Sequence, residues 1–150
     1  RDLTDKEIWV KLTPNITDIS AAARAAEAGG ADGVSLINTL LGMVIDAETR
    51  RPILRNNTGG LSGPAVKPVA LRMVNEVYRA VNIPVIGLGG ICSGLDAVEF
   101  MIAGASAVQL GTYNLISPQG ITQVIDEFSQ WLEDHGVQSP GELVGTLQLW

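Results

Sequence analysis

Pro84-Val-Ile-Gly-Leu-Gly-Gly90 decides the fold that the sequence predicts, together with a second run, Ser106-Ala-Val-Gln-Leu-Gly-Thr112. Each is a short apolar strand ending in glycine, and each leads to a helix-start signal, Ser93 or Ser117-Pro118. Glycine lets a backbone approach a phosphate closely, and the unpaired N–H groups at a helix N-terminus face the anion. Two such units in succession predict the phosphate site that (β/α) barrels place after their last two strands.

Outward from these runs, the chain divides into four strand-then-helix units. Short apolar runs predict strands at residues 8–12, 34–38, 85–88 and 107–110. Helical spacing of apolar residues predicts helices over residues 16–28, 64–81, 95–103 and about 121–132, and Ser139-Pro140-Gly141-Glu142 predicts a short terminal helix. Strands that alternate with helices indicate an all-parallel sheet covered by helices, the α/β class.

Two features of this organisation stand out. Residues 39–63 have few apolar periodicities, and a stretch of that length is usually a functional lid or disordered. Four units are half of an eight-unit barrel and leave both edge strands bare. We therefore expect residues 1–150 to form one partial barrel that needs its N-terminal half, or a homodimer, to cover those edges.

Composition restricts the partners and the location. The chain has 150 residues, is 46% hydrophobic, and carries a net charge of −6 from 10 basic and 16 acidic residues. This is enough for one core, and the acidic balance argues against nucleic acid or an anionic membrane as a partner. Cys92 is the one cysteine, and no signal peptide or bilayer-length apolar run is present, so a cytoplasmic protein is expected. The start at Arg1 instead of Met suggests the middle of a longer chain.

The glycine segment and three other blocks together resemble the dihydroorotate dehydrogenase family. The segment matches from Val85 through Gly89-Gly90-Ile91, Ser93 and Ala97 to Gly104-Ala105. The other blocks, in family order, are Val10-Lys-Leu-Thr-Pro14, Ile37-Asn-Thr39 and Gly59-Gly-Leu-Ser-Gly-Pro-Ala65. The resemblance covers nearly the whole chain, and it implies a TIM (β/α)8 barrel whose fifth to eighth strands are the four predicted above.

The long segment carries the resemblance to one class of the family. Asn38-Thr-Leu-Leu-Gly-Met43, followed by Gly59-Gly-Leu-Ser-Gly63, is similar to the NAD-dependent class, which works with a separate electron-transfer subunit. The resemblance implies an FMN flavoprotein that oxidises (S)-dihydroorotate to orotate in pyrimidine biosynthesis. It further implies that FAD and an iron–sulfur cluster lie on the partner subunit, with NAD as the final acceptor, and it implies no metal site in this chain.

The resemblance also implies roles for particular residues. Lys11 matches a lysine at the flavin ring, where a cation would stabilise the negative charge of reduced flavin. Asn38 and Thr39 match the substrate-binding pair, and an amide suits a ring with alternating C=O and N–H groups. The remaining matches are flavin contacts at Ile37 and Gly63 and a phosphate cradle at Gly89, Gly90, Gly111 and Thr112, where Thr112 would add a hydroxyl donor.

The proton-abstracting base of the family lies upstream of the matched region, so no catalytic residue is assigned here and the chain alone is expected to be inactive. The resembled class uses a cysteine as that base. Cys92 does not match it, because Cys92 follows the phosphate glycines. A small packing role for Cys92 is the expectation, and His135 is expected to interact with the end of its helix.

Less specific interpretations stand beside these roles. Lys11 could be a surface lysine, Asn38 a turn former, and either glycine pair a tight turn alone. Two other functions also fit the pattern: a flavin-free phosphate-binding barrel such as a phosphosugar isomerase, and a non-catalytic FMN-binding half-barrel that serves as an interaction surface. The Gly59 to Ala65 block has no role in the isomerase interpretation.

Overall fold

The computed structural model describes residues 3–150, so Arg1 and Asp2 lie outside the described residues. Its strands are β1 (Trp9–Lys11), β2 (Gly33–Leu36), β3 (Leu40–Gly42), β4 (Ile45–Asp46), β5 (Arg51–Pro52), β6 (Gly59–Leu61), β7 (Val85–Leu88) and β8 (Ala107–Gln109). Its α-helices are α1 (Ile19–Ala28), α2 (Lys67–Tyr78), α3 (Gly94–Ala103), α4 (Tyr113–Ile116) and α5 (Gly120–Asp134), with 3-10 turns at Pro64–Val66 and Pro140–Leu143.

Four of the strands form one parallel sheet in the order β1-β2-β7-β8, and a helix follows each of them in the chain. This arrangement confirms the predicted α/β half-barrel. The register aligns Val34 with Val85 in one row and Lys11, Ser35, Ile86 and Ala107 in the next. Because alternate residues of a strand point to opposite faces, these two rows lie on opposite faces of the sheet.

The core lies between the sheet and its helices. Val34 and Val85 are fully buried there with Val74 and Val77 of α2. Phe100 of α3 is also fully buried, and its ring fills the space that a side chain at Gly87 would need. The opposite face carries Trp9, Lys11, Ala107 and Gln109, all of which are exposed. A parallel sheet is normally covered on both faces, so this exposed face is the one that a closed barrel would turn inward.

The structure corrects the prediction for residues 39–63. The segment is not disordered but forms two antiparallel ribbons, β3 with β6 and β4 with β5, and a lid function for it stays a prediction. The Asp46 carboxylate accepts hydrogen bonds from the backbone N–H groups of Glu48 and Thr49, and Arg50 has a positive φ of 55°. These contacts make the tight connection between β4 and β5, a type of turn that aspartate favours.

Helix boundaries differ from the sequence prediction at two places. Ser117-Pro118 does not open the helix after β8, because α4 intervenes and α5 begins at Gly120. The Tyr113 ring of α4 lies 2.5 Å from the position of a Cβ at Gly120, so the two helices pack where only glycine fits. Ser139 does cap a helical segment, but that segment is a single 3-10 turn.

Two smaller expectations agree with the structure. Pro64 and Pro68 lie in the first turns of the segment that becomes α2. His135 caps the C-terminus of α5, where its Nδ1 lies 2.8 Å from the Trp131 carbonyl and its ring stacks on the Trp131 indole. Within residues 3–150, none of the helices has the length and apolarity needed to cross a bilayer.

The unpaired outer edges of β1 and β8 lead to the first prediction. The isolated 150-residue chain should dimerise or aggregate, because exposed strand edges and an uncovered sheet face recruit another chain. Size-exclusion chromatography with light scattering measures this. Ala107→Lys places a charge on one of the two exposed residues of β8 and should raise the monomer fraction. A stable monomer of the unmodified chain would contradict the prediction.

Candidate functional site

A single cleft at the C-terminal ends of the parallel strands brings together all nine residues that the sequence nominated. The cleft has a volume of about 150 Å³. Their roles as flavin or substrate contacts remain predictions, but their convergence is a property of the fold. The nine residues are Lys11, Ile37, Asn38, Thr39, Gly63, Gly89, Gly90, Gly111 and Thr112.

Backbone hydrogen bonds position the residues that follow β1 and β2. The N–H of Leu12 donates to the Ser35 carbonyl at 2.8 Å, and the N–H of Asn38 donates back to the Leu12 carbonyl at 3.1 Å. The N–H of Ile37 donates to the Leu88 carbonyl at 2.8 Å. Backbone hydrogen bonds therefore hold Ile37 and Asn38 between the ends of the neighbouring strands.

The turn after β7 is built so that only glycine fits. Gly89 and Gly90 have φ values of 129° and 83°, which side-chain-bearing residues rarely adopt. A Cβ on Gly90 would lie 2.8 Å from the Gly63 carbonyl oxygen and 2.9 Å from the backbone nitrogen of Lys67. Gly63 itself has a φ of 89°. The turn at Gly63 and the turn at Gly90 therefore pack directly against each other along one wall of the cleft.

Free backbone donors line the cleft. Among residues 3–150, no protein group accepts a hydrogen bond from the N–H groups of Gly89, Gly90, Gly111 or Thr112. Successive N–H groups that converge in a turn of this kind make a concave site for an anion. The four donors come from the ends of β7 and β8, which are adjacent in the sheet, and their binding of a phosphate stays a prediction.

The first turn of α3 does not take part in the way that the sequence suggested. The Asp96 carboxylate accepts hydrogen bonds from the N–H groups of Cys92 at 2.9 Å and Ser93 at 3.0 Å. The Glu127 carboxylate accepts from the N–H of Gly94 at 2.7 Å. The expectation that unpaired N–H groups of this helix face the anion is therefore wrong, because the chain's own carboxylates already cap the helix.

A charged cluster that sequence reasoning missed lies behind the glycine turn. The Lys67 ammonium contacts the Asp96 carboxylate at 2.5 Å and the Glu99 carboxylate at 2.7 Å. Burial opposes the charge of Lys67, but its hydrogen bonds to Asp96 and Glu99 raise its pKa above the usual value. Burial likewise opposes the charge of Asp96, but hydrogen bonds from Lys67 and Cys92 hold its pKa below the usual value. Both groups are therefore ionised at neutral pH.

The pattern Ser93-x-x-Asp96 is a capping-box signal that could have identified Asp96 from the sequence. No comparable signal points to Lys67. Its partners lie on a helix that the chain reaches almost thirty residues later. Only the packing of α2 on α3 brings the three charges together.

Two polar side-chain contacts to residues of the cleft were also missed. The Asn15 side chain donates to the Thr39 carbonyl and accepts from the N–H of Leu41, both at 2.9 Å, and so holds the start of β3. The Thr112 hydroxyl donates to the Ser62 hydroxyl at 2.8 Å. The hydroxyl proton that was expected to face a phosphate is thus used within the protein, and Thr112 offers the cleft its backbone N–H.

Asn38, expected to bind substrate, and Lys11, expected to lie at the flavin ring, both line the cleft. The Asn38 side-chain oxygen accepts a hydrogen bond from the N–H of Thr39 at 2.8 Å, which is the turn-forming role. Asn38 is exposed at the cleft, and this contact leaves its NH₂ group able to donate. Lys11 is exposed at the end of β1 and also lines the cleft. The fold therefore directs both residues toward the same space.

Comparison with known proteins gives a consistent result for the sequence. The sequence profile of the dihydroorotate dehydrogenase family matches residues 1–132. The catalytic subunit of dihydroorotate dehydrogenase B (NAD(+)) from Bacteroides fragilis is 62% identical over 149 residues, which is 99% of this chain and 49% of that protein. The corresponding protein of Parabacteroides distasonis is 59% identical with the same coverage. The chain spans about half the length of these curated relatives.

Comparison of structures agrees. A crystal structure of a dihydroorotate dehydrogenase from Eimeria tenella, in complex with ferulenol, matches with a TM-score of 0.77. The match has 32% sequence identity and covers 93% of this chain and 38% of that one. The matched crystal structure therefore contains the same half-barrel topology within a much longer chain.

The environment of Cys92 yields the second prediction. Its thiol donates a hydrogen bond to Asp96 at 3.4 Å, and its pKa is raised by burial and by that carboxylate. Less thiolate forms at pH 8 than in a free cysteine, so iodoacetamide should alkylate Cys92 slowly. Asp96→Asn removes the negative charge and should accelerate alkylation, as followed by mass spectrometry. A wild-type rate equal to that of a cysteine-containing model peptide would contradict this assignment.

Proposed function

The chain belongs to the dihydroorotate dehydrogenase family, and from this premise we propose that it supplies the phosphate- and ring-binding half of an FMN site in an enzyme that oxidises (S)-dihydroorotate to orotate. Members of the family are flavoproteins. The identification of the flavin as FMN, and the activity of the whole protein in pyrimidine biosynthesis, belong to this proposal.

The observation that carries the proposal is the set of four uncommitted backbone donors at Gly89, Gly90, Gly111 and Thr112. A phosphate monoester carries close to two negative charges at neutral pH and has three terminal acceptor oxygens. Four uncommitted N–H groups suit such a group without any arginine, and their residues line a cleft whose apolar residues include Ile37 and Leu88. The donors fit the phosphate end of FMN, and the apolar residues fit a flat ring.

The other nominated residues fit the ring end and the substrate. Lys11 would hold a positive charge near the pyrimidine edge of the flavin, where bound FMN supplies the two-electron acceptor for the oxidation. Ile37 and Gly63 would pack along the ring. Asn38 would donate its NH₂ group to a carbonyl or carboxylate oxygen of dihydroorotate, with Thr39 beside it. The residue that removes the substrate proton is proposed to lie outside this chain.

Two partners follow from the same proposal. The unpaired edges of β1 and β8 would join the other strands of a closed barrel, since the relatives are about twice as long as this chain. The relatives are named catalytic subunits, which supports a separate partner subunit. We propose that this partner transfers electrons and carries FAD and an iron–sulfur cluster. We place the assembled enzyme in the cytoplasm, in keeping with an acidic chain that has one unpaired cysteine.

The cradle alone does not distinguish flavin phosphate from sugar phosphate, so a flavin-free phosphate-binding barrel is the competing function. The two differ in colour, which gives the third prediction. The purified full-length protein should be yellow, contain about one FMN per chain, and oxidise dihydroorotate, whereas the 150-residue chain alone should not turn over. A colourless full-length protein that binds phosphate but no flavin would reject the proposal in favour of the competitor.

A glycine substitution tests the cradle itself and forms the fourth prediction. A Cβ on Gly111 meets no protein atom within 4 Å, so Gly111→Ala should leave thermal stability unchanged. Because Gly111 lines the cleft, the added methyl group should weaken FMN binding by about tenfold through lost contact with the phosphate. Gly141→Ala is the matched control, since its Cβ would make an ordinary contact far from the cleft. Fluorescence titration of the flavin-free protein measures both, and equal affinities for the two variants would contradict the assignment.

A further inference from the structure

We propose that Lys67 is a positioning residue for the phosphate end of the cleft: it locks the two glycine turns together and offsets part of the negative charge that Asp96 and Glu99 direct at a bound phosphate. The inference rests on the proposed function, because it deepens the account of the same anion site. It concerns a lysine that does not line the cleft.

The positional part of the argument comes from where Lys67 and Asp96 lie. Lys67 is the first residue of α2, just beyond the Gly63 turn, and its backbone nitrogen and Cβ lie 2.9 Å from the position of a Cβ on Gly90. Asp96 caps the start of α3 and holds the N–H groups of Cys92 and Ser93, directly beyond the Gly90 turn. The 2.5 Å contact between the Lys67 ammonium and the Asp96 carboxylate therefore ties one turn to the other.

The electrostatic part follows from the charges around the turn. Three carboxylates lie behind it: Asp96 and Glu99, which contact Lys67, and Glu127, which caps the N–H of Gly94. Asp96 is buried, with 10% of its side chain exposed, so water screens its charge poorly. Within residues 3–150, Lys67 is the cation that forms ion pairs with the Asp96 and Glu99 carboxylates. Without it, two uncompensated carboxylates would stand close behind a doubly charged ligand group.

A purely structural role for Lys67 and a charge-compensating role predict different effects on the binding of FMN and of riboflavin. Loss of packing would weaken the binding of FMN and of riboflavin alike, because the two share the ring and the ribityl chain. Loss of charge compensation would weaken FMN alone, because riboflavin has no phosphate. The ratio of the two dissociation constants is therefore the measurement that separates the roles.

The experiment uses the full-length protein after removal of its flavin, titrated with FMN and with riboflavin by fluorescence quenching. Lys67→Met should weaken FMN binding by about tenfold and riboflavin binding by less than about twofold, the size expected for an uncompensated charge near the ligand. Adding Asp96→Asn to Lys67→Met should recover most of the lost FMN affinity. Arg72→Met is the matched control, because it removes an exposed ion pair with Glu76 on the same helix.

A second variant has an expected effect of the opposite sign. Glu99 is partly exposed and holds no backbone group of the turn, so Glu99→Gln should leave the fold intact. This variant therefore tests the electrostatic role even if Lys67→Met does not fold. Removing the Glu99 charge should strengthen FMN binding by about twofold and leave riboflavin binding unchanged. Unchanged FMN affinity in Glu99→Gln and Lys67→Met, or an equal loss of both ligands in Lys67→Met, would overturn the proposal.

Amide hydrogen exchange in the flavin-free protein separates this inference from the proposed function. Lys67→Met should accelerate exchange at Cys92 and Ser93, whose N–H groups depend on Asp96, whereas Arg72→Met should not. Unaltered exchange would overturn the positional role even in a protein that binds FMN. A wild-type protein that binds no flavin but shows the exchange effect would reject the proposed function and retain Lys67 as the residue that holds the turn.

Discussion

The structure around the cleft depends on one close approach of backbone to backbone. Gly90 lies so near the Gly63 carbonyl and the Lys67 nitrogen that no side chain fits between the two turns. This contact sets the starts of α2 and α3 side by side, and it places Gly89 and Gly90, whose N–H groups have no acceptor within residues 3–150, in the wall of the cleft. The conformational freedom of glycine is costly for folding, but it permits the positive φ values that this approach requires.

The polar groups near that contact are divided between two tasks. The chain's own carboxylates, Asp96 and Glu127, satisfy the first N–H groups of α3 and so stabilise the helix. The glycine turns keep their N–H groups uncommitted, which fits an external anion. A site that used the helix N-terminus for both tasks would have to exchange an internal cap for the ligand. The division lets the helix remain capped whether or not a ligand is bound.

Much of the fold and of the site could be predicted from sequence because local patterns encode it. Alternating strands and helices predicted the parallel sheet, and the glycine runs predicted where β7 and β8 end. The family resemblance added Lys11, Asn38 and Thr39, which line the same cleft as the glycines. The ribbons of residues 39–63 escaped prediction because strands of two or three residues carry too little periodicity to detect.

By itself, the sequence determined the class of fold, the residues able to form an anion cradle, and the membership of a family, since each depends on short runs whose chemistry is local. Only the tertiary structure decided which N–H groups stay free and which charge compensates Asp96. Lys67, Asp96 and Glu99 are on two helices whose separation in the chain says nothing about contact. Their meeting follows from the packing of α2 on α3, and packing is a property of the whole core and of no single segment.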